Sequence, residues 1–286
     1  MNVKKLSIHD NAYPSALKAI ASSPKTIYYV GADPSDWLSR PKVAIVGSRG
    51  VTPYGKQVTS QLAKELTEYG VVIISGLALG VDGAAHTACL DAGGTTVAVL
   101  GTTINKIYPA SHTQLAKRIV EQGGTIISEY TEDTPGYQSN FIARNRIVSG
   151  LADAILVTEA SDKSGTLHTA RFALEQGKDV LAVPGNINSP NSVGTNNLIK
   201  SGATPVTSID DILHVLNIDK TASAKKVLGD TAEEQAIIAL MQSGIADAHE
   251  LLVQSKLEAI PFNQALTMLE LSGKIYPLGN NHWSLK

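Results

Sequence analysis

Short apolar runs alternate with amphipathic stretches through the first three quarters of the chain. The runs fall at 43–46, 71–74, 96–100, 125–127, 154–157 and 180–183. Each is brief and continuous, the pattern of strands buried on both faces of a parallel sheet. Between them apolar positions recur at helical spacing, as at Val58, Leu62 and Leu66. Glycines such as Gly70, Gly93 and Gly177 stand where left-handed helix caps are expected. This βα alternation predicts an α/β fold: a Rossmann-like, doubly wound, mostly parallel sheet over residues 41–217.

Residues 1–40 form a lead-in, YPSALKAIASSPKTIYYVG at its centre, that reads as a short helical and extended piece punctuated by Pro24 and Pro34. It is too short for a core of its own and is expected to pack on the sheet domain. At 218–230 few apolar residues and mixed charge predict a linker. Beyond it, amphipathic segments at 231–244, 247–257 and 261–273 precede KIYPLGNNHWSL, a hairpin pattern around Gly279 and Asn280. Three helices and a wing predict a small C-terminal winged-helix-like domain at 231–286.

Charge narrows the choice of partners. The 286 residues carry a net −2, so a nucleic-acid site has to be a local patch and not a general basic excess. Residues 1–217 hold 18 Lys+Arg against 18 Asp+Glu, and 218–286 hold 6 against 8, which leaves 0 and −2. The segment at 261–273, where a winged helix places its recognition helix, contains no Lys or Arg, which favours protein contact over reading duplex DNA. The N-terminus has no apolar run after its lysines, and nowhere do 18 apolar residues stand together. A cytoplasmic protein that makes no use of a membrane is expected. The single Cys89 has no partner at metal-ligand spacing and reads as a buried structural thiol. The seven histidines are scattered and no acidic cluster is present, so no metal and no organic cofactor is implied.

Four strand-end turns carry candidate chemistry. The first, Gly47-Ser48-Arg49-Gly50, combines small residues that permit close backbone approach with a forked cation, ahead of a helix whose N–H groups can face a phosphate. It is not a GxGxxG fingerprint, and a structural turn with a surface arginine is the competing reading. In the second, Ser75 to Asp82, the aspartate caps or orients the loop, and His86 beyond it reads as a core or rim histidine. In the third, Phe141, Arg144, Asn145 and Arg146 lie within six residues, and two of the six arginines are here. Phe141 and Asn145, four apart, share a helical face with Arg144 beside them. An aromatic beside guanidinium groups can stack an unpaired base and hold its backbone. The alternative is a core phenylalanine and a buried ion pair. The fourth, Lys163-Ser164-Gly165-Thr166, again leads small residues into a helix. Four such turns make a rim longer than one nucleotide.

In their order and spacing, GSR at 47–49, SGLALGVD at 75–82, YP at 108–109, SE at 128–129, RNRIVSGL at 144–151, SGTLHTA at 164–170, PG at 184–185 and NNLIKSGA at 196–203 resemble the DNA-processing protein A (DprA/Smf) family. The resemblance covers about residues 13–215. It implies a homodimeric, non-enzymatic protein that binds single-stranded DNA in a groove of the Rossmann-like domain and helps RecA recombinase assemble on it during natural transformation. It implies phosphate contacts from Gly47, Ser48 and Arg49, and a base resting on Phe141. Gln138 stands where relatives often carry lysine, and Ile142 where proline is usual. The apolar pair Leu198 and Ile199 suggests the dimer surface. A scaffold that binds a recombinase but little DNA is a second reading. A third is a nucleotide phosphoribohydrolase, whose PGGxGTxxE loop would put its glutamate at Thr169. Without that carboxylate, glycosidic hydrolysis has no evident agent.

Overall fold

The computed structural model describes residues 3–131, 134, 137–219, 229–279 and 281–285. The chain divides into two compact units, Met1–Ser223 and Ala224–Lys286. In the first, the elements run β1 (Lys4–Ser7), α1 (Ser15–Lys18), β2 (Thr26–Gly31), β3 (Lys42–Val46), α2 (Pro53–Glu68), β4 (Val72–Ser75), α3 (Val81–Asp91) and β5 (Thr96–Leu100). They continue with α4 (Thr113–Glu121), β6 (Thr125–Ser128), α5 (Gln138–Leu151), β7 (Ala154–Val157), α6 (Thr166–Glu175), β8 (Asp179–Ala182), α7 (Val193–Lys200), β9 (Thr204–Pro205) and α8 (Ile209–Val215).

The six apolar runs all become strands of one sheet, in the order β1-β2-β6-β5-β4-β3-β7-β8-β9 among the described residues. From β6 to β9 every pairing is parallel. Alternation along each strand explains why the runs are continuous. Ala44 and Val46 face a core built with Ile147 and Leu151 of α5 and Ala170 of α6. Val43 and Ile45 face the opposite core, with Leu62 and Leu66 of α2 and Val81 of α3. Helices therefore cover both faces of the sheet. The expected glycine caps are at positive φ, 72° at Gly70, 74° at Gly93 and 66° at Gly177, a region costly for residues with a Cβ.

The lead-in is more ordered than its sequence suggests. Its extended piece is β2, which pairs antiparallel with β6, and β1 adds an outer antiparallel strand. Trp37 is fully buried and its Nε1 donates to Thr125 Oγ1 at 3.0 Å, so an indole N–H that burial would leave unpaired is satisfied. Cys89 is buried and free, and burial pushes its thiol up to about 11.

The second unit contains α9 (Ala232–Gln242), α10 (Ala248–Ser255), α11 (Ala259–Leu271) and a hairpin of β10 (Ile275–Gly279) with β11 (His282–Leu285). Ile237, Leu251, Phe262, Leu269 and Ile275 form its core. The third helix begins two residues before the expected 261. Pro261 sits in its first turn, where the missing N–H has no intrahelical partner to lose. Residues 220–228 of the expected linker and Asn280 of the expected turn lie outside the described residues.

Candidate nucleic-acid interface

Strand order reverses between β3 and β7, because β4, β5 and β6 build outward on one side of β3 while β7 and β8 build on the other. The connections leaving β3 and β7 diverge there, and ligands of doubly wound sheets bind in the resulting crevice. An open cavity of about 800 Å³ occupies this place. Its walls come from the turn after β3 (Gly47 to Gly50), the loops after β4, β5 and β7, and the first half of α5.

The β3 turn is held from within. A Cβ on Gly47 would meet Val81 Cγ2 at 2.5 Å, so its bare Cα serves the packing of α3. Ser48 N–H donates to the Glu159 carbonyl at 2.7 Å. The buried Glu159 carboxylate accepts from Thr52 N at 2.9 Å and Thr52 Oγ1 at 2.5 Å, and Thr52 Oγ1 accepts from Gly55 N at 3.1 Å. The expectation that α2 offers its N-terminus to a phosphate is therefore corrected: an internal carboxylate already satisfies that helix end. Arg49 and Gly50 remain exposed at the cavity edge. Across the cavity, α6 starts after Gly165, where Thr166 N donates to Ser164 Oγ at 3.2 Å and Leu167 N to the Ser164 carbonyl at 3.1 Å, and Thr166 Oγ1 donates to the Gly47 carbonyl at 2.9 Å. Ser164 and Gly165 line the cavity, while Lys163 is exposed and lies off it.

Helix geometry separates the two arginines that sequence proximity had grouped. Two residues along a helix amount to about 200° of rotation, so Arg144 and Arg146 leave α5 on opposite sides. Arg146 is absent from the cavity wall and is used up in structure: both Nη atoms meet Glu129 at 2.6 and 2.7 Å, and Nε donates to the Ser22 carbonyl at 2.7 Å. It ties the lead-in and β6 to α5, and its expected place at the DNA contact is corrected on this ground. Arg144 is on the cavity floor but only 4% exposed. Its Nη1 donates to the carbonyls of Gly76, at 2.6 Å, and Val99, and its Nε donates to Asn145 Oδ1 at 3.2 Å. It thus clamps the ends of β4 and β5. Burial lowers its pKa to about 10, opposed by the charge of Asp82. Asp82 Oδ2 accepts from Gly76 N at 3.0 Å and Ala78 N at 3.3 Å, the orienting role its position suggested, and burial raises its pKa against the pull of Arg144.

Phe141 and Asn145 do face the cavity together. Phe141 is half-buried above Gly101, where a Cβ would come within 2.7 Å of its ring. Tyr108 stands beside it, ring centroids 5.2 Å apart and planes inclined at 55°, and is 53% exposed. Arg49, Leu79, Tyr108, Phe141 and Arg144 line one small recess at the cavity's edge. Sequence reading assigned no role to Tyr108 or to Lys106, an exposed cation on the same wall. Both follow β5, and the strand-end rule used for the other turns applies to them equally. Gln138 lines the wall as well. His86 is fully buried off the cavity. Its Nδ1 lies 2.7 Å from Thr96 Oγ1, whose own proton goes to the Ile73 carbonyl. Nδ1–H is therefore the donor, Nε2 is an unprotonated acceptor, and burial pushes the pKa down to about 3. No group of three or more metal-ligating side chains occurs among the described residues.

The fold and its crevice define a Rossmann-like α/β protein with an aromatic, cation-edged site at the strand ends. The chain belongs to the DNA recombination-mediator protein A family, whose model matches residues 4–217, and a DprA winged helix domain matches 221–281. Protein Smf of Escherichia coli is 44% identical over 204 residues, covering 71% of this chain and 54% of the relative. DNA processing protein DprA of Bacillus subtilis is 39% identical over 214 residues, covering 75% of this chain and 71% of the relative. The match thus spans about half the length of the Escherichia coli protein. Among solved structures, DNA processing protein A from Streptococcus pneumoniae superposes with a TM-score of 0.70 at 40% identity, covering 75% of this chain and 74% of that one. A structure concerned with the single-stranded DNA binding mode of DNA processing protein A from Helicobacter pylori superposes with a TM-score of 0.68 at 36% identity, covering 76% and 96%. No helix among the described residues is long and apolar enough to cross a membrane.

Proposed function

We propose that this chain binds single-stranded DNA along the strand-end cavity and, as a recombination mediator, delivers it to a RecA-type recombinase, the step natural transformation requires. The observation that carries the reading is the pairing of Phe141 with Tyr108 in a recess edged by Arg49. A π-face for an unpaired base beside a cation for its phosphate is the combination non-specific single-strand binders use. The solved Helicobacter pylori relative supports it. In this reading Arg49, Ser48 and Gly50, with Lys106, follow the backbone, and Ser164 and Gly165 border its path at the start of α6. Arg144 supplies positive potential from below without leaving its carbonyls.

The protein acts without catalysing a reaction. At the position where a phosphoribohydrolase would carry glutamate, the cavity has Thr169, and its carboxylate Asp82 is occupied by two backbone N–H groups. The protein works as a homodimer in the cytoplasm; the half-buried Leu198 and Ile199 of α7 are the proposed contact. A scaffold with weak DNA affinity is the second reading, favoured by Gln138 on the cavity wall and the net charge of −2.

Fluorescence anisotropy of labelled oligo-dT at moderate salt tests the proposal, with a duplex competitor and a nucleotide-hydrolysis control. Saturable, salt-sensitive binding that the Arg49→Ala/Phe141→Ala double variant loses supports it. Recombinase binding without oligo-dT binding would favour the scaffold, and release of free base from a nucleotide would favour the enzyme.

A further inference from the structure

The winged-helix unit holds a surface that the DNA-binding proposal does not use. In α11, Phe262, Ala265, Leu266 and Leu269 are buried, and the opposite face is exposed at Ile260, Asn263, Gln264, Thr267, Met268 and Leu271. These six follow the i, i+3, i+4, i+7, i+8, i+11 spacing of one continuous helical stripe. None is charged. Ile260 is 73% and Leu271 76% exposed, and Tyr276 and Leu278 on β10 add exposed apolar surface just beyond the helix. A soluble unit of this size leaves little apolar area open without a use for it.

Charge identifies the occupant. Residues 224–286 carry five lysines against seven carboxylates, a net of −2 with histidines neutral. Lys274 among them is committed to Asp230 at 2.7 Å and Glu234 at 3.6 Å. Exposed Glu258, at the N-cap, and exposed Glu270 stand near the two ends of the stripe, about 18 Å apart along the helix axis. Phosphates would meet no cation on this helix and an acidic unit around it, which disfavours duplex DNA. In a second copy laid parallel on the stripe, Glu258 meets Glu258; laid antiparallel, it meets Glu270. Both arrangements oppose like charges.

We propose that the exposed face of α11 docks an amphipathic helix of a protein partner that presents apolar side chains to Ile260, Met268 and Leu271 and basic side chains, about 18 Å apart, to Glu258 and Glu270. The surface is a protein-recruitment site in the place where other winged helices read DNA.

The test uses the full chain and two labelled peptides of about four helical turns, one of Leu and Lys and one of Leu and Glu in the same amphipathic order. The Leu/Lys peptide is expected to bind at physiological salt, the Leu/Glu peptide and a labelled duplex to fail. Ile260→Asp/Leu271→Asp, at exposed positions and checked by an unchanged melting temperature, weakens Leu/Lys binding about tenfold or more, the size of effect that 1.4 kcal/mol produces. Glu258→Lys/Glu270→Lys reverses the preference, so that the Leu/Glu peptide now binds the better. The proposal is overturned if neither peptide binds the parent, if the Asp variants bind Leu/Lys as the parent does, or if charge reversal leaves the preference unchanged. It is equally overturned if the parent self-associates and Leu271→Asp abolishes this, since a second copy then covers the face. A duplex shift lost in the same variant would return the face to DNA.

Discussion

Arg144→Met separates bracing from DNA contact at the cavity floor. The substitution keeps an unbranched stem and removes a guanidinium that donates to the carbonyls of Gly76 and Val99 and faces the buried Asp82. Asp82 is left in a site with no counter-charge, and two strand-end carbonyls lose their donor. Unpairing two buried carbonyls from a charged donor costs about 1–3 kcal/mol each, and with the lost attraction to Asp82 about 3–5 kcal/mol in all is expected. For a unit of this size each kcal/mol lowers Tm by roughly 2–4 °C, so a drop of roughly 6–20 °C is expected by calorimetry or dye-monitored melting. Asp82→Asn in the same chain removes the stranded charge and recovers a substantial part of the loss. Below the new Tm, the dependence of oligo-dT affinity on salt stays at the parent's slope, because Arg144 does not reach a phosphate. If Arg144→Met melts with the parent and the slope falls by about 0.7, the value of one single-strand phosphate contact, Arg144 is a DNA ligand and the bracing role is wrong.

Arg49→Ala, at an exposed site, is expected to leave melting unchanged and to lower the salt slope by about 0.7; an unchanged slope would place the phosphate contact elsewhere. Phe141→Ala is expected to cost roughly 1–3 kcal/mol of oligo-dT affinity through lost stacking at an unchanged slope; normal affinity with much lower Tm would make the ring a core residue. Acid should weaken the fold through His86, whose folded pKa of about 3 lies below its ordinary 6.5. The unfolded chain takes up this proton first, so the contribution is complete above pH 6.5 and is lost as pH falls from there toward 3. At pH 5 the loss is about 2 kcal/mol at 1.36 kcal/mol per unit. Denaturant titrations at pH 7.5 and 5 should show His86→Gln escaping it, and an equal loss in both proteins would assign the acid sensitivity to other groups.

The strands were legible because a sheet covered on both faces needs both side-chain alternations apolar, and 43–46 or 154–157 can satisfy that requirement in few other folds. The winged helix was legible in the same way, from helical spacing and a hairpin turn. The lead-in was read less well: nothing local in KKLS or TIYYVG specifies pairing with β6, since antiparallel edge strands are chosen by what they cover, here the indole of Trp37 and the cores behind it.

At the site, the residues near the cavity were found because they follow strand ends, a rule of topology that the linear pattern already contains. Gly47, Ser48, Arg49, Phe141, Asn145, Ser164 and Gly165 line it as their positions suggested, and Tyr108 and Lys106 would have been found by applying the rule to β5. What the sequence determined by itself was the period of each element and therefore the fold class. Only the tertiary structure decided which charged groups are free. Arg144 and Arg146 stand two apart in the chain, yet one underlies the cavity and the other closes on Glu129, and Glu159, 107 residues from Thr52, takes the helix end that a phosphate was expected to use. Hydrogen-bonding capacity is consumed by whatever neighbour packing brings within about 3 Å, and that neighbour is set by the fold, not by distance along the chain.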